Sequence, residues 1–195
     1  MTVMACFSGS IVAFLMVWGL LRLSNQVIQH PVRDPVAFPK QLRLGMWLLV
    51  MALFEEGLFR WLLVGVASRF IGLGPAFIVS VAAFTVAHRT NGTLSYSAII
   101  NLILVSTILG AIFIWWGFWA AVAAHFGWNL AQWWLGFTVS GEKTRPLLPS
   151  PHMRTIPDCP YGPESHWTTT IVMIATLIAM IAPGLGHLTL SRGLL

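Results

Sequence analysis

The chain has 195 residues, 57% of them hydrophobic and only 9% charged. Soluble domains carry about 25% charged residues, so the composition excludes a water-soluble globule and predicts one integral membrane domain, residues 1–195. A net charge of +5 would suit a nucleic acid, but the basic residues fall mostly between apolar spans, as membrane topology places them, and no nucleic-acid partner is expected.

About six spans are predicted, making an all-α polytopic transmembrane helix bundle. Ala5 to Leu23 is long enough to cross a ~30 Å hydrocarbon core. The polar stretch after Arg22 holds Pro31, Pro35 and Pro39, which exclude a continuous helix. A second span runs from about Leu44 to Val66, closed by Arg69 and the turn Gly72-Leu73-Gly74-Pro75. The third runs from about Ala76 through His88, and the fourth from Ser97 to Trp116. Gly117 allows only a tight turn before the fifth, Phe118 to Phe137. A Pro-rich loop, 140–166, separates the core (about 44–138) from a last helix at about 168–185.

With both termini outside, the inside loops hold Arg22, Arg33, Lys40, Arg43, Arg89, Lys143, Arg145 and Arg154, against Arg69 and Arg192 outside. That asymmetry satisfies the positive-inside rule and puts the Pro-rich loop in the cytoplasm. Cys6 and Cys159 then lie on opposite faces, with no metal-ligand spacing.

The second span carries an anomaly, Leu53-Phe-Glu-Glu-Gly-Leu-Phe-Arg60. An ionisable side chain at mid-bilayer costs at least ~2.5–3.5 kcal/mol, which a partner or a watery cavity must offset. Glu56 and Arg60 are four apart, acid first, so they share a helix face as a structural ion pair. Glu55 is turned about 100° away and stays free for chemistry.

Two further spans deliver polar groups. His88 follows Phe84 by four, and Asn129 follows His125 by four. A buried histidine in a bundle is more often a polar contact than a catalyst, and the catalytic reading rests on co-occurrence. Three separate helices send titratable groups inward, where lipid cannot satisfy them. Peptide hydrolysis needs a base to activate water, donors for the oxyanion and an acid for the leaving amine. Glu55 suits the base, His88 can share the water or return the proton, and His125 with Asn129 can donate to the oxyanion. Alternatively, Glu55, His88 and His125 are three ligands of the type that hold a catalytic zinc with an open fourth position.

Glu55-Glu56-x-x-x-Arg60, Phe84-x-x-x-His88 and His125-x-x-x-Asn129, in this order on successive apolar segments, resemble the CAAX-type prenyl-protease and bacteriocin-processing (Abi, CPBP) family of intramembrane proteases. The stretch from Gly110 to Leu130 is similar to the helix pair of that family, and Trp128 to Gly141 with Tyr161-Gly-Pro-Glu-Ser165 resembles the tail of a bacterial subgroup. The resemblance spans roughly Leu44 to Ile178. It implies that Glu55 activates water, His88 assists, and His125 with Asn129 forms the oxyanion site, in a cavity open to the cytoplasm and to lipid. It further implies a multi-pass protein of the bacterial inner (plasma) membrane. Trp61 departs from the glycine common after the motif's arginine.

Two functions follow. One is an intramembrane endopeptidase acting on a membrane protein or lipidated peptide, alone or within a membrane protein complex. The other is a non-catalytic scaffold, assembly factor or immunity protein built on the same polar core. A transporter is disfavoured, since there are no repeat halves and no pair of broken helices.

Overall fold

The computed structural model describes residues 2–31, 37–141 and 152–192. Its architecture is the expected all-α bundle: α1 is Thr2–Leu23, α2 Phe38–Glu56, α3 Ser68–Ile71, α4 Leu73–Ala87, α5 Tyr96–Trp116, α6 Phe118–Trp134 and α7 Trp167–Arg192. A π-helix, Gly57–Val66, continues α2, and a 3-10 turn, His88–Asn91, ends α4. A second 3-10 turn, Pro163–Ser165, leads into α7.

Local chemistry sets these boundaries. Ser95 caps α5 by accepting the Ala98 N–H at 3.2 Å. Gly117 turns the chain from α5 into α6 at φ 89°, a left-handed conformation that side chains with a Cβ avoid. α2 begins at Phe38, ahead of the expected Leu44, because Pro39 sits in the first turn, where a missing N–H costs no helical bond. α7 runs through Pro183 to Arg192, past the expected end at Leu185. From Gly57 the second span departs from the α-helical register: the hydrogen bonds reach five residues back, as in Ala67 N to Leu62 O at 3.0 Å.

The polar segments on either side of the core are not wholly irregular. β1, Ile28–Pro31, pairs antiparallel with β2, His152–Thr155, with Ile28 opposite Thr155. This ribbon brings Arg154 near Arg22 at the end of α1. The expected loop residues 142–151, including Lys143, Arg145 and three of the prolines, lie outside the described residues, as does Arg33.

α6 is the central element, packed against α1, α2 and α5, while α7 covers α5. Phe14, Val17 and Leu21 of α1 meet Ile112 of α5, Ala121 and Trp128 of α6, and Val172 of α7 in the main core. Phe14 and Trp128 meet edge to face at 5.1 Å between centroids. Gly127 lets α1 and α6 touch backbone to side chain; a Cβ there would lie 2.7 Å from the Phe7 carbonyl oxygen.

Large apolar side chains face outward along the bundle, among them Met16, Trp47, Phe54, Trp61, Ile78, Ile100 and Ile178. Such a surface has no stable counterpart in water and fits a lipid environment. Four helical stretches are long and apolar enough to cross a membrane: α1, α4 with its 3-10 end, α5, and α7 as far as Gly184. The other two expected spans fall on α2 with its π-helical continuation and on α6, which has 17 residues. At 1.5 Å per residue α6 covers roughly 26 Å, short of a ~30 Å core, and its burial by neighbours removes the need to face lipid along its length.

Candidate active site

The site assembles where the end of α2 meets α4, α5 and α6. Glu56, the last residue of α2, and Arg60, in the first π turn, are fully buried, with Nη1 and Oε1 3.2 Å apart. Arg60 also donates through Nη2 to the Ser106 hydroxyl at 3.2 Å, and its guanidinium lies 4.5 Å above the Phe84 ring centroid. The predicted ion pair is therefore formed and is clamped to both α4 and α5. A third partner completes it: His125 Nδ1 lies 2.8 Å from the same Glu56 Oε1.

These contacts determine what the histidines present. A carbonyl oxygen only accepts, so His88 Nδ1, 2.8 Å from the Phe84 carbonyl, must be the protonated nitrogen of its ring. His125 Nδ1 is likewise the donor toward the Glu56 carboxylate. When each ring is neutral, it then turns a bare Nε2 to the centre. The two atoms lie 3.7 Å and 3.8 Å from Glu55 Oε2. Glu55 Oε2 is buried and has no hydrogen-bond partner among the described residues.

Three lone pairs on one point are mutually repulsive unless something positive or hydrogen-bearing sits between them. The distances are too long for direct hydrogen bonds and allow a bridging water, whose two O–H groups match such acceptors. The donor types also suit zinc. Tetrahedral zinc with bonds of about 2.0–2.2 Å places neighbouring ligand atoms roughly 3.3–3.5 Å apart, slightly closer than either histidine nitrogen stands to Glu55. Among the described residues no group of three His, Cys, Asp or Glu is arranged to hold a metal ion. The three donors are of the right type and stand slightly wider than the ligands of a bound zinc do.

His88, His125 and Asn129 line one cavity of about 1100 Å³. Asn129 is buried one turn after His125 on α6. Most of the cavity is apolar, walled by α1, α5 and α7, and it reaches the outer surface at Val12, Met16, Leu20 and Ile171, which line it and are exposed. Its polar residues are concentrated toward His88, His125, Asn129, Ser140 and Glu164. Glu55 is not part of the lining; it touches the cavity through the two imidazoles that are. Of the four residues singled out by spacing, His88, His125 and Asn129 line the cavity, and Glu55 lies 3.7 Å and 3.8 Å from the two imidazoles.

Two features escaped the sequence reading. The first is the Glu56–His125 link, which joins residues 69 positions apart with no periodic signal between them. The second is Glu164, buried in the same cavity, whose only sequence cue is its place in Tyr161-Gly-Pro-Glu-Ser165.

The bundle and its lipid-facing surface define a membrane-embedded protein with a buried carboxylate–imidazole centre. Residues 37–131 match the family model described as type II CAAX prenyl endopeptidase, Rce1-like. The matched segment, just under half of the chain, holds all three motifs, and over it the chain is similar to the CAAX-type protease family. No curated protein and no solved structure matches the chain.

Proposed function

We propose that this protein is an intramembrane endopeptidase in which Glu55 activates a water held between it and the two histidines. The observation that carries the reading is the approach of His88 Nε2 and His125 Nε2 to one buried oxygen of Glu55, against a cavity that is mostly apolar. An apolar cavity reaching the lipid-facing surface suits a peptide that carries a lipid or enters from the membrane.

The chemistry follows from the atoms present. Glu55 takes a proton from the water, and the hydroxide oxygen adds to the scissile carbonyl carbon. Asn129 donates its amide N–H to the resulting oxyanion; His125 can donate as well once its Nε2 is protonated, a cation that the Glu56 carboxylate would stabilise. When the C–N bond breaks, the amine nitrogen recovers the proton from Glu55, directly or through His88. Glu56 and Arg60 hold His125 and stay outside the reaction.

The protein sits, on this reading, in a bacterial inner membrane with six crossings, both termini outside and the ribbon end in the cytoplasm. Arg22 and Arg154 meeting at that end support the orientation.

The test is a comparison of membrane-protein termini in cells carrying the wild type or Glu55→Ala. A terminus present only with the wild type identifies a substrate and supports the protease. Identical termini, with both proteins folded and equally abundant, support the scaffold or immunity reading instead.

A further inference from the structure

Among the described residues, Glu164 is the only acidic side chain lining the cavity, and the mechanism above does not use it. Its backbone is held from behind. Asn101 of α5 donates to the carbonyls of Glu164 at 2.8 Å and His166 at 3.1 Å, and Thr169 donates to that of Pro163 at 2.6 Å. Gly162, at φ 88°, makes the turn against Thr138, whose carbonyl oxygen would lie 2.8 Å from a Cβ. The segment is therefore a rigid mount, and it presents the carboxyl to the cavity wall that His88, His125 and Asn129 share.

The carboxyl itself has N–H donors around it but no paired lysine or arginine among the described residues. Its Oε2 accepts the Ser140 N–H at 3.0 Å, and the Gln132 amide and Trp128 indole face it. The titratable groups around it are His125 from α6 and Tyr161 from its own segment. A buried carboxyl without a cation favours its neutral form, which carries an O–H donor that the carboxylate lacks. Burial accordingly pushes Glu164 up to about 7, against the opposing pull of the Ser140 N–H and of His125.

We propose that Glu164 is a substrate-contacting residue, whose neutral carboxyl donates a hydrogen bond to a backbone carbonyl of the peptide bound at the polar end of the cavity. The proposal rests on the hydrolase reading of the same cavity. Ionised, the group has no donor to offer and repels the carbonyl oxygen, so peptide affinity falls as pH rises through neutrality.

The experiment measures binding of a farnesylated CAAX-type peptide to the full chain carrying Glu55→Gln, which blocks turnover. Binding is followed from about pH 6 to about pH 8.5, and cleavage by the wild type is assayed in parallel. Affinity should fall about tenfold across that range, the worth of one hydrogen bond. Adding Glu164→Gln, which keeps a donor and does not titrate, should leave affinity high and independent of pH. Adding Glu164→Ala should lower it about tenfold at the acid end. The proposal is overturned if the pH dependence survives Glu164→Gln, if Glu164→Ala binds like its parent, or if the parent binds no peptide. Binding that follows the Glu164 pattern beside a wild type that cleaves nothing would instead defeat the hydrolase reading and leave the contact standing.

Discussion

One oxygen of Glu56 serves both Arg60, at 3.2 Å, and His125, at 2.8 Å. The second carboxylate of the pair is thus more than a counter-ion. It joins α2 to α6 and orients His125 with Nε2 toward Glu55. A histidine used in chemistry works in one tautomer, and its other nitrogen's partner sets which.

Glu56→Gln should therefore be more damaging to the fold than Glu55→Gln. It strands a fully buried Arg60, a loss of about 3–5 kcal/mol. Arg60→Ala strands Glu56 in the same way. Thermal unfolding in detergent checks the ranking: both variants should melt well below the wild type, with Glu55→Gln close to it. Wild-type melting of Glu56→Gln would show that the shared oxygen holds nothing together.

Two glycines should respond in opposite directions. Gly127→Ala places a Cβ 2.7 Å from the Phe7 carbonyl and pushes α1 off α6, a cost of about 1–3 kcal/mol. Gly57 has nothing within 4 Å of an added Cβ and an ordinary helical conformation, φ −60° and ψ −44°. Gly57→Ala should raise stability by about 0.5–1 kcal/mol, from reduced freedom of the unfolded chain. Melting temperatures of the two variants decide the matter; the same sign for both would contradict the packing described.

Glu164 gives stability a pH dependence of known sign. Its carboxyl is raised from 4.5 to about 7 on folding, so between those values the folded chain binds more protons than the unfolded one. Stability then falls as pH rises through that window and levels above about pH 7. Unfolding measured from about pH 4.5 to about pH 8 should show this slope in the wild type and a flatter one in Glu164→Gln. Equal slopes would remove Glu164 as its source.

What could be read from the chain was what helical spacing encodes. Glu56 to Arg60, Phe84 to His88 and His125 to Asn129 are all one turn apart, so the spacing by itself puts each pair on a shared face. The apolar lengths located the helices for a similar reason. Pairings that depend on three-dimensional return were invisible. β1 and β2 have four residues each and are joined through the whole core, with no strand-length alternation to mark them. Glu164 is surrounded by Gln132, Ser140 and Trp128, positions with no periodic relation to it. The π-helix at Gly57–Val66 likewise follows a run whose composition suits an α-helix equally well.

Topology has its own check. With six crossings and both termini outside, Cys159 faces the cytoplasm and Cys6 the outside, each partly exposed. A membrane-impermeant thiol reagent applied outside sealed cells should spare Cys159 and label it only after permeabilisation. Labelling of Cys159 in sealed cells would reverse the orientation and the positive-inside assignment of Arg22, Arg89 and Arg154.

The central claim is that Glu55 activates the water. Its most direct measurement is the cleavage rate of a farnesylated CAAX-type peptide by purified wild type and Glu55→Gln, each with and without an excess of chelator. The wild type should cleave, with a rate unchanged by the chelator when Glu55 activates the water without an ion. Glu55→Gln, folded as judged by its melting, should be slower by about 10²–10⁴-fold, the usual worth of a general base. Cleavage by Glu55→Gln at the wild-type rate would contradict the account.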